Sequence, residues 1–258
     1  MTDEPEELKE PRSTRNVSRW AVARSVFGTV LTVVFLLSVV GGVLAIRHPE
    51  TPLPPEWNPI APLSVTDPVT PLTSWKLRRS ISDPAVCLDV LATGSSAEPM
   101  SPFEWSDNCH IRNRVRLDRV GGAAINSVET TCATALITAL WTHHGIQPAA
   151  EEILGGRVVT VRQIGSYNCR PINTTSGPSN RWSTHATAEA IDITGFDLDN
   201  GSRIRLINDW EGDTPEARFL RRVRDSACNW FGTTLGPDFN SLHADHFHLQ
   251  VHGWGTCR

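Results

Sequence analysis

The feature that most constrains this chain of 258 residues is an uncharged apolar run, Val26–Ile46. In a helix, these 21 residues would rise about 32 Å, enough to cross a hydrocarbon core about 30 Å thick. Only Arg47 follows the run closely, whereas several arginines precede it: Arg15, Arg19 and Arg24. Because basic residues stay on the cytoplasmic side, we predict a cytoplasmic tail (1–25), a transmembrane anchor (26–46) in the cytoplasmic or inner membrane, and a remainder that is periplasmic or extracellular.

A cleaved signal peptide is the alternative interpretation of this run. Val43-Leu44-Ala45 offers small residues of the type found at cleavage sites. Signal peptides usually have an apolar stretch of about 7–15 residues, which is shorter than the one here. We therefore favour an anchor that is retained.

Proline dominates the segment after the anchor. From Pro49 to Pro71, eight of 23 residues are proline. Proline at this density favours an extended polyproline II conformation and opposes helices and sheets. We predict a linker over residues 47–75 that holds a folded domain, residues 76–258, away from the membrane.

The charge and the cysteines of the chain narrow the class of protein. A net charge of −4 argues against a nucleic-acid-binding protein, which normally has a basic face. All six cysteines lie in the predicted outer domain, which predicts three disulfides in an oxidising compartment. A zinc ribbon is the weaker alternative, because the sequence has no CxxC pair. Proximity along the chain suggests the pairing Cys87–Cys109, Cys132–Cys169 and Cys228–Cys257.

Hydrophobic periodicity in the outer domain predicts both helices and strands. Val128–His144 has helical spacing with Gly145 as its stop, and Thr214-Pro215 is a typical helix start. Ala190–Phe196 and His246–Val251 are predicted to be strands. We therefore expect an α+β fold with a small antiparallel sheet and flanking helices, preceded by one transmembrane helix.

Histidines and an aspartate suggest where the chemistry occurs. His185 precedes Asp192 by seven residues, and Asp192 interrupts an apolar strand, where a charge must be paired. His246 and His248 would project from the same face of a strand, because residues two apart share a face. Each pattern alone also occurs by chance on protein surfaces. Together they favour a zinc site with three protein ligands and a fourth position for water.

These motifs resemble a known group of enzymes. Ser183-x-His185-x6-Asp192, followed by His243-x2-His246-x-His248, is similar to the motif pair of the zinc D-Ala-D-Ala carboxypeptidase and murein endopeptidase superfamily, which includes the hedgehog domain. The chain is more specifically similar to the bacterial extensin-like C-terminal domain family. That resemblance rests on several runs: Gly165–Arg170, Ala190–Phe196, Leu235–Asn240 and Cys257-Arg258.

The superfamily resemblance implies a hedgehog/D-Ala-D-Ala peptidase-like fold and specific roles for residues. The implied zinc ligands are His185, Asp192 and His248. His243 would assist proton transfer, and His246 would hydrogen-bond or stabilise an oxyanion. Arg170 would polarise the substrate carbonyl or bind a carboxylate, and a structural salt bridge is the alternative for it.

The resemblance implies a zinc peptidase that acts on peptidoglycan or muropeptides. Two departures from the superfamily pattern affect this interpretation. Ala188 replaces the usual glycine, and no glutamate precedes the last ligand, so His243 becomes the base by default. The missing glutamate motivates the alternative, a non-catalytic domain that binds the cell envelope and retains the fold.

Overall fold

The computed structural model describes residues 19–48 and 50–258, and most of the predicted cytoplasmic tail lies outside these residues. The chain divides into two compact units, which meet in sequence between Pro54 and Pro55. In the first unit, helix α1 spans Arg19–Arg47. Its segment Val22–Arg47 is long and apolar enough to cross a membrane, as the sequence predicted.

The second unit is built around a sheet. Its strands in chain order are β1 Ser95–Pro99, β2 Phe103–Ser106, β3 Cys109–Ile111, β4 Arg114–Val120, β5 Ala123–Thr131, β6 Val158–Gly165, β7 Pro171–Thr174, β8 Gly177–Trp182, β9 Ala190–Leu198, β10 Arg203–Arg205, β11 Thr233–Leu235, β12 Phe247–Gln250 and β13 Thr256–Cys257. Nine strands of the described chain form one sheet in the order β1-β4-β5-β6-β9-β12-β11-β13, with β10 paired to β9. The remaining strands form two separate hairpins, β2–β3 and β7–β8.

Helices flank this sheet. They are α2 Thr73–Ile81, α3 Pro84–Ala92, α4 Cys132–Trp141, α5 Gln147–Leu154, α6 Leu206–Asp209 and α7 Pro215–Ala227. Most strand pairs in the large sheet are antiparallel, and β5–β6 and β11–β13 are parallel. The predicted α+β class, with a sheet and flanking helices, is confirmed.

Strand β9 lies in the interior of the sheet and contributes several apolar side chains to the core. Ile191, Ile193 and Phe196 are fully buried, and Phe196 packs edge to face against Trp141 of α4. Burying such side chains contributes about 1.5–3 kcal/mol each. This packing holds the strand that bears Asp192 in a fixed position.

The predicted helix Val128–His144 begins later than expected. Val128 to Thr131 complete strand β5, and α4 starts at Cys132 with Thr131 as its N-cap. Gly145 does not stop the helix, because the chain continues through a π-helical turn, Thr142–Ile146, into α5. A Cβ at Gly145 would collide with Ser226, so the glycine permits close approach of the segment bearing Ser226.

The proline-rich segment divides between the two units. The folded unit starts at Pro55, and Leu63 and Val65 are buried in its core. Lys76 is also buried and donates a hydrogen bond from Nζ to the Pro55 carbonyl at 2.7 Å. The second half of the proposed linker therefore packs on the domain.

All six cysteines lie among the described residues and are paired. Cys228–Cys257 is confirmed, but the other two predicted pairs are wrong. The structure joins Cys87 to Cys132 and Cys109 to Cys169. Proximity along the chain failed here because α3 packs beside α4, which brings residues 45 positions apart together.

Removing the Cys87–Cys132 disulfide is expected to destabilise the domain. Replacing both residues by alanine should lower the free energy of unfolding by about 3 kcal/mol, because the bridge restricts a long loop of the unfolded chain. Thermal denaturation should show a fall in Tm of roughly 6–12 °C for a domain of this size. Val86→Ala, at an exposed position of the same helix, serves as a control that should change stability by less than about 0.5 kcal/mol. A double variant that melts within 2 °C (about 1 kcal/mol) of the wild type would contradict the expectation.

Candidate metal centre

The sheet register brings two of the predicted ligands together. Strands β9 and β12 pair in antiparallel orientation, and His248 lies directly opposite Asp192. Side chains at such opposed positions are about 5 Å apart at Cβ, close enough for direct contact. His248 Nδ1 lies 2.9 Å from Asp192 Oδ1.

The third predicted ligand enters from a short turn. His185 lies in a 3-10 helix, Thr184–Thr187, whose N-cap Ser183 accepts a hydrogen bond from the His185 backbone N–H. His185 Nε2 lies 3.0 Å from His248 Nδ1 and 3.2 Å from Asp192 Oδ2. One ligand atom from each of the three residues falls within 4.8 Å of the others.

A backbone carbonyl fixes the orientation of the His185 ring. His185 Nδ1 donates a hydrogen bond to the Ser166 carbonyl at 2.8 Å, since a carbonyl can only accept. The opposite nitrogen, Nε2, therefore directs its lone pair toward Asp192 and His248 when the ring is neutral. Metal-binding histidines commonly have this arrangement, in which the second ring nitrogen donates to a carbonyl or carboxylate.

The protonation states of Asp192 and His248 favour the binding of a cation. Burial raises the pKa of Asp192, but its contacts with the rings of His185 and His248 outweigh this effect and hold that pKa well below its usual range. Burial lowers the pKa of His248 more than the neighbouring carboxylate raises it, which favours the neutral ring that metals bind.

The donor set fits a zinc ion. When His185 is neutral, its Nε2 lone pair faces Asp192 Oδ2, and no proton lies between these two atoms. The single proton on His248 Nδ1 then has two acceptors nearby, His185 Nε2 and Asp192 Oδ1. A cation among the three side chains would satisfy all of these lone pairs. Two imidazoles and one carboxylate form a ligand set that zinc uses in proteins.

The two remaining histidines of the motif lie beside this centre. His246 donates Nδ1–H to Asp245 Oδ1 at 2.8 Å, and its Nε2 lies 3.8 Å from Asp192 Oδ1. His243 donates Nδ1–H to Asn240 Oδ1 at 2.7 Å. Its ring centroid lies 5.3 Å from that of His246 and 5.7 Å from that of His248. The structure therefore brings all four predicted histidines and Asp192 together.

All five side chains line one open cavity of about 740 Å³. Arg170 also lines it, half-buried, and its guanidinium donates a hydrogen bond to the Pro171 carbonyl. The salt bridge considered as an alternative for Arg170 does not occur among the described residues. Its position at the cavity is compatible with binding a ligand.

A known protein family matches most of the folded domain. The family described as extensin-like protein C-terminus matches residues 85–258. The chain belongs to the extensin-like C-terminal family. The match includes all six cysteines and every residue of the candidate metal centre. Neither the curated proteins nor the solved structures include a match to the chain.

Ala188, which replaces the usual glycine of the superfamily pattern, has an unusual backbone conformation in this extensin-like domain. Ala188 has a φ of +52°, in the left-handed region that favours glycine. An alanine in this conformation costs roughly 1–2 kcal/mol. Its carbonyl accepts hydrogen bonds from the buried hydroxyls of Thr130 and Thr134, which fix the residue in place.

The sequence did not single out three further residues of the site as functional. Asn240 orients His243, the Ser166 carbonyl orients His185, and Arg181 lines the cavity. Asn240 and Ser166 lie inside runs that carried the family resemblance, so that signal was available. Arg181 lies in a polar stretch without a recognised motif, and the sequence offered no signal for it.

Proposed function

We propose that this extensin-like domain is a zinc-dependent peptidase that cleaves peptidoglycan stem peptides as a carboxypeptidase or an endopeptidase. The observation that carries the proposal is the convergence of His185, Asp192 and His248 in an open cavity. The motif resemblance to the zinc D-Ala-D-Ala peptidase superfamily supplies the reaction class. A bound zinc ion supplies a Lewis acid that polarises a peptide carbonyl and acidifies water.

His243 is the residue that we assign as the proton acceptor. Because its Nδ1–H is donated to Asn240, its Nε2 carries a free lone pair. Burial, together with His248 and His246, lowers the pKa of His243 to about 4, so the ring is neutral at pH 7. A neutral imidazole held beside a reacting centre can take up a proton at Nε2.

His246 and Arg170 would position the substrate. The hydrogen bond from His246 Nδ1 to Asp245 fixes the ring so that Nε2 lies beside the ligand cluster. In the doubly protonated ring, Nε2–H would donate a hydrogen bond to the reacting carbonyl of the substrate. Arg170 presents a guanidinium to the same cavity and would hold a carbonyl or carboxylate of the peptide.

The proposed location of the domain is consistent with a peptidoglycan substrate. Helix α1 can span a membrane, and disulfides are typical of oxidising compartments. We propose that α1 anchors the chain in the cytoplasmic membrane with its N-terminus inside. The domain would then lie in the periplasm or outside the cell, where it can reach the cell wall.

The proposal is tested with the full chain in detergent, loaded with zinc and incubated with purified muropeptides. Mass spectrometry should detect loss of a terminal alanine or cleavage of a cross-link. A chelator should abolish the reaction, and added zinc should restore it. Absence of product from every muropeptide, despite one bound zinc per chain, would overturn the peptidase proposal.

One observation favours a second candidate, a non-catalytic domain that binds the cell envelope. Among the described residues that line the cavity, Asp192 is the one acidic side chain, and it already belongs to the metal centre. No second carboxylate is therefore placed to act as a base. Sedimentation with peptidoglycan, without product formation, would support this candidate.

A further inference from the structure

The hairpin β7–β8 lines part of the cavity. Pro171 pairs with Trp182 at the base of the hairpin, and neither residue lines the cavity. The residues that flank them along the two strands do line it: Arg170, Ile172, Arg181 and Ser183. Asn173, Thr174 and Thr175 line it as well, so the hairpin forms part of the cavity wall, and this wall includes two arginines.

Neither arginine is neutralised by a neighbour. In the described part of the chain, Arg170 and Arg181 take part in no ion pair, and the cavity's acid, Asp192, contacts His185 and His248 instead. Other arginines of the domain, such as Arg116 and Arg157, are paired with glutamates. The cavity therefore carries two unpaired guanidinium groups, and a bound dication would add to its positive charge.

This arrangement favours an anionic group on the ligand. A guanidinium presents parallel N–H donors that match the two oxygens of a carboxylate. A peptide whose C-terminus is free always carries a carboxylate at that end. Both arginines lie on a hairpin at the wall of the cavity that holds the metal centre, so they can contact one end of a bound peptide.

We infer that Arg181, together with Arg170, binds the C-terminal carboxylate of the substrate. The inference rests on the proposed function, because it takes the ligand to be a peptide. It makes Arg181 a specificity-determining residue and defines the substrate class as peptides with a free C-terminus. The reaction is then the removal of residues from a peptide end.

The test compares two synthetic stem pentapeptides that differ only at the C-terminus, one a free acid and one an amide. Binding is measured by calorimetry on the full chain in detergent, with the metal chelated so that no peptide is hydrolysed. The wild type should bind the acid about tenfold or more tightly than the amide, as a charge-assisted bidentate contact predicts. Arg181→Gln should remove most of this preference by weakening the acid alone.

Arg203→Gln is the matched control, because Arg203 is exposed on β10 and lies outside the cavity. It should leave the preference for the acid unchanged. An Arg181→Gln variant with the wild-type preference, or one that weakens both peptides equally, would overturn the inference. Hydrolysis without any acid preference would overturn it while leaving the peptidase proposal intact. Acid preference without hydrolysis would support the inference and count against the peptidase proposal.

Discussion

His248→Ala is expected to reduce zinc affinity by at least about 100-fold and to abolish peptidase activity. Loss of a residue that only supports a ligand already costs about 10–100-fold in affinity, and here a ligand itself is removed. His185→Ala should have the same effect, since its Nε2 lies 3.0 Å from His248 Nδ1 in the same cluster. Zinc content after dialysis and a competition titration with a chelating dye measure the change.

His252→Ala is the matched control for these variants. His252 follows His248 by four residues, but its side chain is 69% exposed and lies outside the ligand group. The His252→Ala variant should bind zinc as the wild type does. If His185→Ala and His248→Ala both retain one tightly bound zinc, the ligand assignment is wrong.

His243→Gln is expected to lower kcat by roughly 10²–10⁴-fold while zinc stays bound, because general base catalysis contributes about that much. Glutamine preserves much of the size of the side chain and lacks an imidazole nitrogen that can accept a proton. Steady-state kinetics on a muropeptide, paired with zinc content, separates this loss from loss of the metal. A variant with bound zinc and a kcat within threefold of the wild type would exclude His243 as the base.

Asn240→Ala is expected to lower kcat as well, because it affects the same proton transfer by His243. Asn240 accepts the Nδ1–H of His243 and so selects the tautomer with a free Nε2. The loss in kcat should be smaller than that of His243→Gln, because the imidazole remains. A normal KM would indicate that the substrate still binds while proton transfer is impaired.

The candidate site was more predictable from the sequence than the rest of the domain. Its members follow from local rules: an aspartate inside an apolar strand needs a partner, and closely spaced histidines project together. His246 in fact precedes β12 instead of lying within it, but it still reaches the vicinity of Asp192. The three predicted ligands converge because β9 and β12 pair in the register that opposes Asp192 and His248.

Features that depend on tertiary packing were not predictable in this way. Nothing near Cys87 in the sequence indicates that α3 packs on α4, so its partner Cys132 could not be deduced. The proline content of residues 47–75 obscured two apolar residues, Leu63 and Val65, that are buried in the core. The apolar spacing that begins at Val128 fits a buried strand as well as a helix. The helix was therefore predicted to start too early, within strand β5.

The disulfide between Cys109 and Cys169 has a consequence for ligand affinity. Cys109 is fully buried in β3, and Cys169 immediately precedes Arg170. The backbone that carries this arginine is therefore immobilised when the domain folds, before any ligand arrives. Ordering a loop during association normally weakens binding. Because the cross-link removes that entropic penalty here, the wall of the cavity is preorganised, and its contacts can contribute more fully to affinity.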